Sequence, residues 1–469
     1  MSYYPVSLDK VKDKAARITG ETLKLPLYII PAAGAAPASA KIKKLTNSFG
    51  ETITRIDSEI PLSLEPRKDE RFLFTSFERT AHTHAIGEEV ISGNRYHTAL
   101  TPELTRWLLN LYSKPGDIVL VPYPAGGSIN LEALMNKRHS VGIDSDPFAR
   151  LVARVKTTPI NGMELNRSMN RLITDISNYI PALVATEDIP LFPFRDKWYD
   201  KEILHELAYI KNELERQWVS SAPVNFYKIC FSSILRAVSN YDVNGMGRWA
   251  VKPSKKIYPS AALVKFAESL LINSLRIMNF SNICPDKVIT EFPEDADPKN
   301  IKYPDGYFNL AMASLQSTGP VDFMGLQPPE IYWLGMAPPR TFMDYGANEN
   351  PVITEYGRYR YKAKKSELIP GKIFGIDITT AYLTYKYLED MRANMEEVYR
   401  TLEPGGKYVI AAGNFRIRGQ SVESFKYIVN IARQVGFKIL SSFISENLKD
   451  FMKHPESERT PDRIIVLEK

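Results

Sequence analysis

The stretch from Gly116 to Asp144 constrains the fold of this chain more than any other. Residues Ile118 to Val121 are a short apolar run, the pattern of a strand buried on both faces. Ala125, Gly126 and Gly127 form a tight turn after it. Ser128 is placed to cap the helix that follows, whose apolar side is Leu131, Leu134 and Met135. Ser140 to Ile143 read as a second strand, with Asp144 at its carboxyl end. The unit is strand, turn, helix, strand, acid. The acid lies about 17–20 residues past the glycines, the spacing that sets a carboxylate on ribose hydroxyls. A nucleoside-containing cofactor is the expectation. A purely structural glycine turn, with Asp144 as a helix cap, is the alternative.

The same residues resemble one family. Pro115 to Ser128, then Leu131 to Ala133, then Val141 to Ala149 are similar to the cofactor half of S-adenosylmethionine-dependent DNA amino-methyltransferases, which methylate cytosine N4 or adenine N6. The family pattern at the turn is Asp-Pro-Phe-x-Gly-x-Gly-Thr. Pro122, the aromatic Tyr123, Gly127 and the hydroxyl of Ser128 match it, while Val121 replaces the leading Asp and Ala125 the first Gly. The resemblance implies a class I methyltransferase fold: an α/β, Rossmann-like, doubly wound sheet with a reversed last strand. It also implies S-adenosylmethionine at Pro122, Tyr123, Ala125, Gly127, Ser128 and Asp144. The segment Tyr96 to Leu109 resembles the family's stretch before the turn and makes Thr98 a further candidate at the methionine end. Thr101 reads as a helix cap there, with Pro102 at the first helical position and Leu104, Trp107, Leu108 and Leu111 as the buried stripe.

Length and composition set the frame. At 469 residues the chain can bury one large core or two ordinary ones. With 44% apolar and 24% charged residues it reads as a globular chain. No apolar run approaches the ~18 residues of a membrane span, and the start lacks the regions of a signal peptide. Cys230 and Cys284 have no metal-type spacing. A cytoplasmic, reducing setting without a metal is expected. The net charge of +6 permits a nucleic-acid partner without requiring one.

Four parts follow in order. Residues 1–90 are an N-terminal extension, with Leu25 to Ile30 as a strand and Pro31 to Ala40 as a small-residue loop. His82 and His84 have no acidic or Cys neighbours and read as surface residues. Residues 91–160 are the cofactor half of the core. Residues 161–299 are a helical insertion, with helical periodicity over 165–180, 199–218, 226–239 and 261–278. Residues 300–469 are the second half. There, 399–414 resembles a segment common across class I methyltransferases.

The chemistry is expected near 300–345. The family has an apolar strand ending in Asp, Asn or Ser, then two prolines, then an aromatic. The polar side chain and the next carbonyl accept hydrogen bonds from the exocyclic amine of a flipped base, the prolines fix that carbonyl, and the aromatic stacks on the base. Here the strand Tyr307 to Ala313 leads to Ser314, Leu315, Gln316 and Ser317. Ser314 matches the serine of the cytosine form, and both prolines and the aromatic are replaced. Asp322-Phe323 and Trp333 to Gly335 fall at family spacings without a gap. The motif is therefore replaced in place, which implies lost or weakened methyl transfer.

Two basic stretches bear on a DNA partner. Arg236, Arg248, Lys252, Lys255 and Lys256 make the end of the helical region basic, and Arg358 and Arg360 share one face of a strand opposite Tyr359 and Tyr361. Contact with duplex phosphates is one reading, and a solvated face or a charged sheet edge is the other. Three functions remain open: a DNA-binding protein on a methyltransferase scaffold, an active amino-methyltransferase with Ser314 orienting the amine, and a scaffold subunit that meets partner proteins or its own copies.

Overall fold

The computed structural model describes residues 42–46, 52–56, 66, 68, 69, 71–74, 100–181, 184–192, 195–217, 219–243, 249–251, 257, 258, 260–315, 328–336, 378–412, 415–417, 420–422, 424–445 and 462–469. In chain order the elements begin with the strands Ile42–Thr46 (β1), Thr52–Ile56 (β2) and Arg71–Phe74 (β3). Then come Pro102–Tyr112 (α1), Ile118–Pro122 (β4), Ser128–Met135 (α2), His139–Ile143 (β5) and Pro147–Thr157 (α3). The helices Gly162–Ser177 (α4), Lys201–Glu215 (α5) and Ser221–Leu235 (α6) follow. A hairpin of Tyr241–Val243 (β6) and Trp249–Val251 (β7) precedes Ala261–Ile283 (α7). The chain returns to the sheet with Thr290–Glu291 (β8) and Phe308–Leu315 (β9). It continues through Pro328–Trp333 (α8), Ile378–Thr401 (α9) and Leu402–Ala412 (β10). Phe415–Ile417 (β11), Gln420–Val422 (β12), Ser424–Val435 (α10), Lys438–Ser445 (β13) and Asp462–Glu468 (β14) close it.

The main sheet has the order β1-β2-β3-β13-β14-β10-β9-β4-β5-β8. Strands β8, β5, β4, β9 and β10 pair in parallel, and β14 runs antiparallel between β10 and β13. This is the doubly wound, Rossmann-like order of class I methyltransferases with its reversed last strand. Only the strand Leu25 to Ile30 is expected from the N-terminal sequence, and it lies outside the described residues, as do His82, His84 and Thr98. The described part of that region instead adds strands to the core sheet: β3 pairs parallel with β13, and Arg463 holds Asp69.

Alternation along the strands sorts the core. Leu120, Val141, Ala311, Ala313 and Ile410 face α9 and α10, while Val119, Val121, Leu310, Met312 and Val409 face α1 and α2. Leu104, Trp107 and Leu108 of the α1 stripe are buried and Leu111 is half-buried near the helix end, with Thr101 Oγ1 accepting from Leu104 N–H at 3.3 Å and Trp107 edge-on to Phe443. Helices α3 to α7 form their own core around Leu165, Leu172, Leu207, Phe226 and Phe266.

Within that core, Glu206 of α5 is buried and accepts hydrogen bonds from the backbone N–H groups of Ser260 and Ala262, at the start of α7. It supplies the cap that Ser260, in a left-handed conformation, does not. Burial pushes its carboxyl up to about 7, against the lowering by those N–H donors. A raised folded-state value means the proton is bound more tightly in the folded chain. That contribution is full below about pH 4.5 and is lost as pH rises through about 7, about 3 kcal/mol across the window. Glu206→Gln removes this titration. The difference in melting temperature between variant and parent should therefore shift in the variant's favour from pH 4.5 to 8. A constant difference across that range would contradict the account.

Candidate cofactor and methyl-transfer site

The site forms where β4 and β9 lie side by side while the chain leaves them in opposite directions. In doubly wound sheets the crevice at the carboxyl ends of such strands is where ligands bind. After Pro122 the backbone turns through Tyr123 at φ 59°, Ala125 at φ 49° and Gly127 at φ 75°. Tyr123 N–H donates to the Ile143 carbonyl at 2.9 Å and Gly127 N–H to the Pro124 carbonyl at 2.8 Å. The turn is thus pinned to the end of β5. A Cβ on Gly127 would stand 2.6 Å from Ala153 Cα, so α2 can start against α3 only from glycine. Ala125 takes the left-handed conformation where the family pattern has glycine. The turn keeps its shape there at a strain of about 1–2 kcal/mol.

One local expectation is corrected. Ser128 does not cap α2. It is the first helical residue, and Gly127 holds the cap position without a side-chain hydrogen bond. The left-handed turn brings the chain into the helix one residue earlier than a serine cap would.

Asp144 follows β5 and is buried, with Oδ1 accepting from Asp146 N–H at 3.0 Å. The helix-cap alternative for it fails, because Asp146 caps α3, accepting from Phe148 N–H at 2.8 Å beside Pro147. Arg150 of α3 donates to the Asp144 carbonyl at 2.6 Å. Ser314 lies near the end of β9, half-buried and paired in register with Ala411. Extending the β4–β9 register brings Ser314 level with Tyr123, and the β4–β5 register brings Asp144 level with the same residue. Asp144 and Ser314 therefore lie at the ends of the two strands that neighbour β4, at the level where β4 gives way to the turn. Residues 316–327, with Gln316, Ser317 and Asp322-Phe323, lie outside the described residues.

The next wall is not anticipated from the sequence. The loop after β8 carries Phe292 and Glu294. A Cβ on Gly142 would lie 2.4 Å from the Phe292 ring and 3.2 Å from Pro124. Arg154 donates to the Phe292 carbonyl at 2.8 Å and to Glu294 at 2.6 Å, and Arg150 reaches Glu294 at 3.7 Å. The hydrogen bond from Arg154 holds the Glu294 carboxyl below its ordinary range. The β-branched residues from Val288 to Thr290 are the sequence signal for this strand end, but two residues are too short for a periodicity to register.

The segment at the family's Trp-Leu-Gly spacing packs on the helical insertion. Trp333 is fully buried against Phe231, Phe192 and Tyr199. Glu330 of α8 is fully buried and pairs with Arg236 at 2.7 Å. Arg236 is consequently an internal ion-pair partner and not a surface contact for phosphate. Burial, then the charge of Glu330, raises the Tyr199 hydroxyl well above its ordinary value. The other basic candidates Arg248, Lys252, Lys255, Lys256, Arg358 and Arg360 lie outside the described residues. Cys230 and Cys284 are free thiols. Among the described residues no helix is long and apolar enough to cross a membrane, and no acidic, His or Cys group is arranged to hold a metal.

No family model matches the chain. It is 25% identical over 258 residues to the type II methyltransferase M.MvaI of Kocuria varians, covering 52% of this chain and 54% of that protein. It is 31% identical over 167 residues to the type II methyltransferase M.MjaII of Methanocaldococcus jannaschii, covering 34% of this chain and 30% of that protein. The chain thus spans about half, or less, of the curated relatives it matches. Among solved structures, a protein of Thermus thermophilus assigned as a DNA modification methylase and complexed with S-adenosylmethionine is 21% identical over 20% of this chain and 41% of that one, with a TM-score of 0.17. A methyltransferase of Methanosarcina mazei dependent on S-adenosylmethionine is 9% identical over 77% of this chain and 96% of that one, with a TM-score of 0.28. At such scores these overlaps add nothing to what the strand order establishes. In fold this is a class I methyltransferase, and in sequence it is similar to type II methyltransferases.

Proposed function

We propose that this chain binds S-adenosylmethionine at the β4–α2 turn and binds double-stranded DNA as a methyltransferase-like protein whose methyl transfer is lost or weakened. The observation that carries the cofactor part is the retained turn: left-handed at Ala125 and Gly127, closed onto α3, with Asp144 buried at the next strand end. Residues Pro122 to Ser128 would line the methionine end, and Asp144 would accept from the ribose hydroxyls. Bound there, S-adenosylmethionine supplies an electrophilic methyl group. Ser314 is on the strand beside the turn, where its hydroxyl can accept from an exocyclic amine. The replaced residues at 315–317 remove the fixed carbonyl and the stacking ring that would complete the alignment. Losing such oriented groups slows a reaction by about 10²–10³-fold.

Similarity to type II methyltransferases supports DNA as the partner. Arg248, Lys252, Lys255, Lys256, Arg358 and Arg360 are the proposed phosphate contacts. The retained Ser314 favours one second reading, an active cytosine-N4 or adenine-N6 methyltransferase.

Asp144→Ala should weaken S-adenosylmethionine by about tenfold or more, since a charged hydrogen bond contributes roughly 1.5–3 kcal/mol. Unchanged affinity would remove Asp144 from the site. A tritium-transfer assay on mixed duplex DNA, run with a gel-shift assay on the same DNA, tests the whole reading. Retarded DNA with little or no transfer is the expected result. Turnover at the pace of a working enzyme, abolished by Ser314→Ala, would establish the second reading instead. DNA that is neither retarded nor modified would leave a scaffold role.

A further inference from the structure

Two arginines one helical turn apart on α3 organise the wall beside Asp144. Arg150 is buried and spans two separate pieces of chain. One N–H of its guanidinium donates to the Asp144 carbonyl at 2.6 Å, and the other end approaches Glu294 at 3.7 Å. Arg154 completes the hold through the Phe292 carbonyl and the other oxygen of Glu294. The loop so fixed lays the Phe292 ring across Gly142, which Pro124 of the glycine turn also approaches. Gly142 and Asp144 are two residues apart, so they project to the same side of the β5 path. Phe292 therefore lies on the Asp144 side of that path, one step down. The Arg150 Nε is buried with no acceptor among the described residues. Leaving a guanidinium donor unused costs stability, and such costs persist where a side chain is held for another purpose.

We propose that Arg150 is a positioning residue for the nucleoside end of this site, tying the strand end that carries Asp144 to the loop that carries Phe292. The inference rests on the cofactor reading above and goes beyond it in naming what holds the carboxylate and the ring in mutual register. Lysine cannot serve in its place, because a single ammonium lacks the planar fork that reaches both partners.

The test is calorimetric titration with S-adenosylmethionine of the full chain and of Arg150→Met, Glu294→Gln, Asp144→Asn and the double variant Arg150→Met with Asp144→Asn, with melting temperatures alongside. Arg150→Met is expected to weaken binding about tenfold, and Glu294→Gln, altering an exposed carboxylate, several-fold with an unchanged melting temperature. In the Asp144→Asn background the loss from Arg150→Met should shrink, because the part transmitted through the Asp144 carboxylate is already gone and only the part carried by the Phe292 loop remains. Additive losses that follow the melting temperatures would mark Arg150 as merely structural and overturn the inference. Parental affinity in Arg150→Met or in Glu294→Gln would overturn it too, while leaving the cofactor site standing. No saturable heat from the unaltered chain would overturn both.

Discussion

Gly127→Ala is expected to cost about 3–5 kcal/mol of stability and to abolish binding of S-adenosylmethionine. Two effects combine. At φ 75° any Cβ is strained, and here that Cβ would stand 2.6 Å from the backbone of α3 at Ala153. Backbone cannot rotate aside as a long side chain can, so α2 or α3 must shift. Either shift moves the N–H groups of the turn away from Asp144. A chemical denaturation curve and a titration on the same preparation read both losses. Near-parental values in both would show that the α2–α3 contact is not the fixed point it is taken to be. The contrast with Ala125 is informative. That residue also has a positive φ, so Ala125→Gly should relieve strain without opening a cavity.

Breaking the Arg236–Glu330 pair carries the second large effect. Both groups are buried in the core of the helical insertion, and Glu330 is completely so. Removing one partner leaves an uncompensated charge there, at a cost of about 3–5 kcal/mol. Glu330→Met and Arg236→Met should each lower stability by that amount. Arg236→Met combined with Glu330→Met should recover most of it, since apolar groups of similar volume replace a buried pair at little net cost. The recovery separates a charge effect from a packing defect. Additive losses in the double variant would refute the pairing. The pair also bears on function, because α8 follows the Ser314 strand and is held to the insertion by Glu330 and Trp333. A weakened pair would loosen that segment from the insertion.

Much of this was legible in the sequence for a physical reason. The βαβ unit is local: an apolar run, a turn, a short helix and a second run lie within thirty residues, and each signal survives without tertiary help. The stripe on α1 was readable on the same grounds, whereas the reversed last strand was implied by the resemblance to methyltransferases. Some misreadings concern relations across long separations, and others concern helix starts that shift by one or two residues. Arg236 reads as surface charge because Glu330 is far along the chain. Asp144 admits a cap role because the sequence does not show that Asp146 takes it. Phe292 and Glu294 follow a strand of two residues, and only the sheet reveals what they touch. Ser128 is displaced by one position because a left-handed glycine begins the helix early. The strands β1 to β3 escape notice because short edge strands carry weak patterns, and pairing with β13 is what makes them strands.

The account turns on the cofactor half of the fold, and calorimetric titration of the unaltered chain with S-adenosylmethionine, with and without duplex DNA, tests it most directly. Saturable binding at equal stoichiometry, present without DNA and lost in Gly127→Ala, is the predicted result. No binding under either condition would contradict it: Val121 and Ala125 would then have closed the pocket, and the retained turn would be a structural remnant of an enzyme fold.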